Sequence, residues 1–363
     1  MNLSDSPKGI DLFSGAGGLS VGFLNAGGNP VGGIDFDSDS IETYRRNFPE
    51  AKYTLTADLR DWQPPNDLRG VPVVMGGPPC QGFSLARGTR FVDDPRNSLY
   101  REFVRTVAVL EPSAFVMENV EGILNIGGGV IRDQILEDFE RLGYSVSVRV
   151  INMAVHGVPQ TRRRAIFVGL ASGSQFVWPE ATHRLPSRAN DNTLFPDALL
   201  PAVSVNSATG DLGLPIGNYF AHRANSKMRG PRNRDAHTQP SFTLRVRGDE
   251  FGLCEYPASS AFIPGPRPEE PVVLQPPNHS LQRLLRSRRP PWVNDSEGVE
   301  IAPPEPVFVR GSRLLTTREL CRLQTFPDWF SFVGRRTSQA RQIGNAVPPL
   351  FAEVLFRSLL DQI

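Results

Sequence analysis

The stretch KGIDLFSGAGGLSVGFLNAGG, residues 8–28, has the pattern that decides the fold. KGIDLF predicts a short buried strand, and the apolar residues of LSVGFLNA recur on one helical face until Gly27 and Gly28 end the helix. The turn SGAGG between them has little side-chain bulk, so its backbone N–H groups can approach a ligand above the sheet. The stretch therefore predicts a strand, a ligand-binding turn and a helix.

The alternation of buried strands and amphipathic helices continues to about residue 170. Two further helices are predicted at 98–110 and 133–143. The further predicted strands are VGGIDFD (31–37), VPVVM (71–75), AFVMEN (114–119), SVSVRVIN (145–152) and RAIFVGL (164–170). Such alternation predicts an α/β fold with a doubly wound, mostly parallel sheet.

This rhythm is lost in the second half of the chain. Residues 255–310 hold 12 of the 33 prolines, which argues against regular elements there. Regularity returns where Thr316 and Glu319 stand as in a capping box, and a final helix follows NAVPP with Pro348 or Pro349 in its first turn. We therefore predict an α/β domain of residues 1–180, a smaller irregular domain inserted at 181–331, and a C-terminal segment, 332–363, that completes the first domain.

Composition is that of an ordinary globular chain. Of 363 residues, 39% are hydrophobic and 21% charged, no apolar run has the length of a membrane span, and MNLSDSPKGID lacks the features of a signal peptide. We expect a soluble cytoplasmic protein, located in the cytosol or in a nucleoid within it. The three cysteines are odd in number and far apart, which favours free thiols over disulfides or a zinc cluster.

Basic residues are concentrated in three places although the net charge is only +1. Residues 221–247 hold seven of them against one acid, LQRLLRSRRP (281–290) holds four arginines and no acid, and TRRR lies at 161–164. One such cluster is typical of a solvated face. Three in a near-neutral chain indicate a surface that binds a polyanion.

Acidic residues stand where the next strands end. Asp35 and Asp37 follow the glycine turn by about twenty residues, where a carboxylate can hydrogen-bond the hydroxyls of a ribose. Asp58, in TADLRD, could accept from an adenine amino group or be a surface loop acid. These residues predict a nucleoside cofactor and leave NAD, FAD and S-adenosylmethionine open.

The stretch GGPPCQGFS, residues 76–84, places Cys80 at the carboxyl end of a predicted strand. Pro78 and Pro79 end the strand and fix the direction of the Cys80 side chain. A free cysteine is most often a small buried hydrophobe, which suits the other two cysteines. The polar, glycine-containing segment that follows Cys80 favours a nucleophile at this position.

Glu118 and Asn119 end the neighbouring strand at the same edge of the sheet. A protonated carboxyl group there could donate to a ring nitrogen and make a heteroaromatic substrate electrophilic. The guanidinium groups of QTRRR (160–164) can bind anionic oxygens bidentately. Taken alone, Glu118 could equally form a structural ion pair, and QTRRR could be a solvated turn. Together with Cys80, the two features predict a reaction centre.

Six motifs resemble those of the DNA (cytosine-5)-methyltransferases in order and approximate spacing. They are DLFSGAGGLS, GGPPCQGFS, MENV, QTRRR, the TTREL and RLQTFPD block, and QIGNAVPP. The resemblance covers residues 8 to about 170 and 311–363. It implies a Rossmann-like methyltransferase fold, S-adenosylmethionine as cofactor without a metal, and methylation of cytosine C5 in a specific duplex sequence, as in bacterial or phage modification enzymes.

The resemblance also implies catalytic roles. Cys80, followed by Gln81, would add to C6 of cytosine and so activate C5 toward the methyl group. Glu118 would bind N3 and the exocyclic amine, while Arg162 and Arg164 would hold the base carbonyl and brace the site. No residue of the sequence can be assigned as the base that removes the C5 proton, and a bound water could equally take that role.

Thirteen positions are implied around the cofactor. They are Phe13, Ser14, Gly15, Ala16, Gly17, Gly18, Asp35, Phe36, Asp58, Leu59, Pro79, Asn345 and Val347. Asp35 stands where the family often has glutamate, so its contact with the ribose requires a small shift or a water.

The family flips its target base out of the duplex, so residues 84–97 are expected to form a mobile loop that closes over DNA. The basic insert, roughly 181–312, is the implied target recognition domain, with HTQPSFTLRV (237–246) as its core. The implied DNA contacts are Ser84, Arg87, Arg229, Arg232, Thr243, Leu244, Arg245 and Arg247. Double-stranded DNA and a cognate restriction endonuclease are the expected partners of a monomeric enzyme without a membrane contact.

Three alternatives stay open. A tRNA cytosine-5 methyltransferase shares the catalytic motifs, although its usual Cys-Phe-Thr element is absent from this sequence. A dinucleotide-dependent oxidoreductase would leave Cys80 and Glu118 without a role, and an inactive DNA-binding relative would not need them. The DNA recognition sequence is not encoded in any motif.

Overall fold

The computed structural model describes residues 6–79, 99–185, 199–214, 217–222, 232–244, 251–255 and 312–363. They belong to two compact units. The sheet unit consists of Met1–Asn152, Arg163–Pro179 and Ala352–Ile363, and the insert unit of Met153–Arg162 and Glu180–Phe351. The assignment of 181–331 to target recognition stays a prediction. Within the described residues, no helix is long and apolar enough to cross a bilayer.

One large sheet organises the sheet unit. The strands up to Leu170 are β1 (Lys8–Leu12), β2 (Asn29–Asp35), β3 (Leu55–Thr56), β4 (Val73–Gly76), β5 (Ala114–Val120), β6 (Ser145–Asn152), β7 (Gln160–Thr161) and β8 (Arg163–Leu170). All but β7 form a seven-stranded sheet in the order β3-β2-β1-β4-β5-β8-β6. Strands β1 to β5 run parallel, whereas β8 is antiparallel to both of its neighbours. The predicted mostly parallel sheet is confirmed.

Helices cover both faces of this sheet. Among the described residues, the α-helices of the sheet unit are α1 (Gly18–Ala26), α2 (Ser38–Asn47), α3 (Leu99–Leu110), α4 (Val130–Glu140) and the larger part of α8 (Pro349–Leu360). Helices α5 (Val205–Thr209), α6 (Thr317–Leu323) and α7 (Arg336–Asn345) belong to the insert unit. On one face Phe115 of β5 stacks on Phe139 of α4, with ring centroids 4.0 Å apart. On the other, Phe23 of α1 meets Phe356 of α8 edge to face at 5.0 Å. The doubly wound arrangement is thereby confirmed, and losing a buried ring such as Phe115 would cost about 3–5 kcal/mol.

The strand order reverses between β1 and β4. The chain leaves β1 toward β2 and β3 on one side, and β4 leads to β5 on the other. Leu12 at the end of β1 is in register with Gly76 at the end of β4. Ligands of open α/β sheets bind beyond the carboxyl ends of strands at such a reversal. The topology therefore brings the glycine turn after β1 next to the Pro-Pro segment after β4.

Within its described residues the insert unit contains short strands, whereas residues 256–311, which hold the 12 prolines counted for 255–310, lie outside the described residues. Its strands after β7 are β9 (His183–Arg184), β10 (Leu200–Pro201), β11 (Tyr219–His222), β12 (Arg232–Asp235), β13 (Ser241–Phe242), β14 (Phe251–Cys254) and β15 (Ser312–Leu314). Four of them form an antiparallel sheet in the order β12-β11-β14-β15. Each has at most four residues, which is too short for a two-residue hydrophobic period to stand out.

Helix α6 begins at the predicted capping box. The Thr316 hydroxyl accepts from the Glu319 backbone N–H at 3.1 Å, and the Glu319 carboxylate accepts from the Thr316 N–H at 2.8 Å. Glu319 is also ion-paired with Arg313 at 2.7 Å, and both side chains are 1% exposed. The box is therefore part of a buried polar cluster. Helix α7 was not predicted, because RTSQARQIGN has few apolar residues with which to mark a buried face.

Candidate active site

The turn after β1 is held in a shape that depends on glycine. The Gly17 N–H donates to the Ser14 carbonyl at 2.9 Å, and the Ser14 N–H donates to Ile34 of β2 at 3.1 Å. Gly17 has φ +93°, and a Cβ there would lie 2.9 Å from the Tyr44 ring. A Cβ on Gly15 would meet no atom of the described residues within 4 Å, so among them that side of the turn is open to a ligand. Phe13 precedes the turn with φ +55°, a strained value for a residue with a side chain.

Asp35 ties the end of β2 to this turn. Its two carboxylate oxygens accept backbone N–H groups, one from Gly15 and one from Asp37, each at 2.9 Å. Burial raises the pKa of Asp35, while the backbone hydrogen bonds oppose the rise. A carboxylate has about four acceptor positions, so these bonds leave room for ribose hydroxyls.

The predicted cofactor-binding residues that follow Asp35 in the sequence differ in how exposed their side chains are. The Phe36 side chain follows Asp35 and is 67% exposed, as a ring that contacts a ligand would be. Asp58 is ion-paired with Arg60, whose side chain and backbone lower the Asp58 pKa. Leu59 is 2% exposed, and its side chain belongs to the hydrophobic core. The contact of Leu59 with the cofactor stays a prediction.

A buried amide fixes the segment that precedes Cys80. Asn119, at the end of β5 and 4% exposed, donates from Nδ2 to the Pro78 carbonyl at 2.9 Å. Pro79 is half-buried directly after it. Cys80 and Gln81 lie outside the described residues. Sequence reasoning placed Asn119 at this edge of the sheet without giving it a role, and its position in MENV was the only signal.

Glu118 and Arg164 come together beside this segment. Arg164 Nε lies 2.8 Å from Glu118 Oε1, with the side chains 15% and 12% exposed. A Cβ added to Gly77 would lie 3.2 Å from Glu118 Oε2, so the carboxyl group lies next to the chain that leads to Cys80. The two predicted catalytic residues thus form a sheltered ion pair on adjacent strands β5 and β8.

The insert unit positions Arg162 with the NAVPP motif. The Arg162 side chain is 1% exposed and donates to the carbonyls of Gly344 at 3.0 Å and Asn345 at 3.3 Å. Asn345 itself is exposed, and Val347 is 6% exposed. Arg162 therefore braces the backbone at the end of α7, and Arg164 is the arginine of QTRRR that meets Glu118.

Gln160 connects three motifs within the insert unit. Its Oε1 accepts from the Leu244 N–H at 3.0 Å, and its Nε2 donates to Gln324 Oε1 at 2.6 Å. Gln324 in turn donates to the Ala346 carbonyl of NAVPP. Sequence reasoning missed both glutamines, because nothing in their spacing shows that a buried amide joins distant segments.

The predicted DNA contacts are only partly described. Arg232 is exposed on β12, whereas Leu244 is 2% exposed and packs inside the unit. Thr243 is half-buried and donates its hydroxyl proton to the Thr161 carbonyl at 2.9 Å. The other predicted contacts, Ser84, Arg87, Arg229, Arg245 and Arg247, lie outside the described residues. The DNA contacts of these residues stay predictions.

Comparisons with known proteins identify the family of this chain. Residues 8–361 match the family model described as C-5 cytosine-specific DNA methylase. The Type II methyltransferase M1.HphI of Haemophilus parahaemolyticus is 37% identical over 97% of this chain and 86% of its own length. M.BspRI of Lysinibacillus sphaericus, also a Type II methyltransferase, is 31% identical over 98% of this chain and 82% of its own.

Among solved structures, an S. pombe Dnmt2 methyltransferase has a TM-score of 0.58 at 15% identity, over 98% of each chain. At that identity the likeness concerns the fold alone. The family match spans nearly the whole chain, and the curated relatives cover it at more than 30% identity. This chain belongs to the C-5 cytosine-specific DNA methylases and is a DNA (cytosine-5)-methyltransferase.

Proposed function

We propose that this enzyme transfers a methyl group from S-adenosylmethionine to C5 of a flipped-out cytosine in a specific duplex sequence, with Cys80 as the covalent nucleophile. The observation that carries the proposal is the Glu118–Arg164 ion pair, 2.8 Å long and sheltered from solvent. It lies beside the Pro-Pro segment that ends in Cys80, on the sheet edge that also carries the glycine turn.

The residues around the turn suit S-adenosylmethionine. The open side of Gly15, the carboxylate of Asp35 and the exposed ring of Phe36 match an adenosine group with a ribose and an aromatic base. Asp58 and Pro79 would complete this side, and the family resemblance adds Asn345 and Val347. When bound, the cofactor supplies an electrophilic methyl group.

Cys80 and Glu118 would act on the base together. The Cys80 thiolate forms a bond to C6, and the electron pair of the C5–C6 double bond becomes available at C5. Glu118, after taking up a proton from solvent as the base enters, would donate it to N3 and so stabilise the charge that develops on the ring. Arg164, held against Glu118, would contact the base carbonyl. Once C5 has taken the methyl group, removal of the C5 proton by a base such as a bound water expels Cys80 as thiolate and restores the double bond, and the N3 proton returns to Glu118.

The substrate would be duplex DNA read by the insert unit. A stacked base cannot reach a thiolate, so the target cytosine must leave the helix. The arginines of residues 221–247 would contact phosphates and base edges. Because the relatives are named Type II methyltransferases, we propose that a restriction endonuclease of the same specificity is the cognate partner.

Covalent trapping tests the central step. A duplex in which 5-fluorocytosine replaces cytosine cannot lose a C5 proton, so the Cys80–C6 bond should persist once the methyl group has been transferred. Denaturing gels and peptide mass spectrometry should find the adduct at Cys80 with methyl donor present. Cys80→Ser should give no adduct, whereas Cys321→Ala, which changes a buried cysteine of α6, should still be trapped.

Bisulfite sequencing of DNA from methylation-free cells that express the enzyme gives the target sequence. An adduct at another residue, or equal trapping by Cys80→Ser, would refute the nucleophile. Methylation confined to RNA would replace the proposed substrate by tRNA.

A further inference from the structure

Asp11 begins a chain of three oxygen contacts beneath the glycine turn. Asp11 Oδ2 lies 2.7 Å from Ser20 Oγ, and Ser20 Oγ lies 2.9 Å from the Tyr44 hydroxyl oxygen. The Tyr44 hydroxyl in turn lies 3.0 Å from the Gly32 carbonyl oxygen. All three distances are those of O–H···O hydrogen bonds.

Counting protons decides the state of Asp11. Three contacts need three protons, and the hydroxyls of Ser20 and Tyr44 supply only two. The Gly32 carbonyl at the far end can only accept. If Asp11 were ionised, the two oxygen atoms of one of these three contacts would face each other with no proton between them. A neutral Asp11 would supply the third proton, with its acid group donating to Ser20, Ser20 to Tyr44, and Tyr44 to Gly32.

The surroundings of Asp11 agree with this count. The side chain is 1% exposed, and its other oxygen, Oδ1, has no hydrogen-bond partner among the described residues. Among these residues the titratable groups that face it are Asp35 and Tyr44, and the α1 helix contributes only Ser20. Burial, with the nearby Asp35 charge as a smaller cause, raises the pKa of Asp11 well above its usual range, and it outweighs the contacts with the Ser20 hydroxyl and backbone N–H, which favour the ionised form. An ionised oxygen without a donor would be costly at such a site.

We propose that Asp11 is a neutral carboxylic acid in the folded enzyme and a positioning residue for the glycine turn, which the proposed function assigns to S-adenosylmethionine. It acts through Ser20 and Tyr44. Ser20 lies in the first turn of α1, and the Tyr44 ring fills the space against Gly17, where a Cβ would be 2.9 Å away. The proton chain thus fixes the start of α1 and the floor of the turn at once. Keeping Asp11 neutral also leaves Asp35 as the single charge of this buried pair.

The pH dependence of unfolding tests the protonation state without cofactor or DNA. Asp11→Asn replaces the acid by an amide that also donates to Ser20. If Asp11 is neutral when folded and ionised when unfolded, the folded wild type holds one more proton than the unfolded chain. The unfolding constant of the wild type, divided by that of Asp11→Asn, should then rise about tenfold per pH unit from about pH 5 to pH 7 in urea titrations. A ratio that does not change with pH would overturn the proposal.

A second measurement needs no variant to fold. Carbon-13 spectra of wild-type enzyme labelled at aspartate carboxyls should contain one carboxylic acid resonance at neutral pH, which is absent from Asp11→Asn. A spectrum of carboxylates alone would refute a neutral Asp11.

Cofactor binding tests the positioning role. By calorimetry, Asp11→Asn should bind S-adenosylmethionine within about threefold of wild type, whereas Asp11→Leu, similar in shape but without a donor, should bind at least about tenfold more weakly. Equal binding by Asp11→Leu would remove the positioning role. If wild type binds no S-adenosylmethionine, the proposed function fails, while the unfolding and carbon-13 results still decide the protonation state.

Discussion

Glu118 and Arg164 meet across the antiparallel pair of β5 and β8, with Arg164 Nε 2.8 Å from Glu118 Oε1. A second ion pair, between Glu121 and Arg163, has the same 2.8 Å length but 40% and 56% exposed side chains. The two pairs are a few residues apart and differ mainly in shelter from water. The sheltered pair is the one suited to act on a base, because charges interact more strongly where water is excluded.

Glu118→Gln should lower kcat by about 10²–10⁴-fold, because the amide cannot deliver a carboxylic acid proton to N3. Tritiated methyl transfer to DNA measures the rate. Glu121→Gln is the matched control and should keep wild-type kcat, since exposed ion pairs contribute about 0–1 kcal/mol to stability. Wild-type kinetics of Glu118→Gln would remove the assigned role.

Asn119→Ala should lower the free energy of unfolding by about 1–2 kcal/mol, because the Pro78 carbonyl loses its hydrogen-bond donor. It should also lower kcat by about tenfold or more, because the segment that leads to Cys80 is no longer held in place. Urea titration and kinetics measure the two effects. Asn47→Ala is the control, because buried Asn47 donates to the Thr43 carbonyl at 2.7 Å, away from the site. We expect it to lose stability alone, and an equal kcat loss in both variants would contradict the anchoring role.

Phe36→Ala should raise the KM for S-adenosylmethionine by about tenfold, because the ring would no longer stack on an aromatic base. The melting temperature should stay unchanged, since the side chain is 67% exposed. Val177→Ala, at the same 67% exposure, should leave both quantities unchanged. A lower melting temperature with an unchanged KM would show that Phe36 packs rather than binds.

Acid should destabilise the enzyme in part through His156. Burial lowers the pKa of His156 to about 4, with His183 as a smaller cause, and its ring lies 5.6 Å from that of Phe351. The unfolded chain therefore binds a proton below pH ~6.5 that the folded chain takes up only near pH 4. The stability is full above pH ~6.5 and falls by up to about 1.4 kcal/mol per pH unit toward pH 4.

Urea titrations over this range should show a shallower pH dependence for His156→Leu than for wild type. An identical slope in the variant would assign the acid sensitivity to other groups.

The sequence predicted the parts whose chemistry is local. The turn after β1 needs a positive φ at Gly17, and glycine is the residue that adopts it readily. The capping box of Thr316 and Glu319 marks the start of α6, as predicted. Long buried strands such as β5 stand out by their apolar composition. Strand direction is not local: β8 is buried on both faces, so RAIFVGL is a nearly continuous apolar run like those of the parallel strands, and nothing in it shows that β8 is antiparallel.

Contacts between distant segments could not be predicted either. Gln160 and Gln324 are far apart in the chain, and only the folded insert unit brings their amides together. The same holds for Asp11, whose state depends on how many protons its neighbours supply. The roles assigned to Cys80 and the DNA-contacting arginines stay predictions.

Helix α8 has a consequence for how the enzyme is made. A Cβ on Gly22 of α1 would lie 2.3 Å from the Cβ of Ala352, so α1 and α8 pack closely without room for a methyl group. A ribosome must translate the entire insert between making these two helices. The nascent chain therefore carries the uncovered apolar side of α1 throughout that interval, and this side is covered only after translation has passed α8.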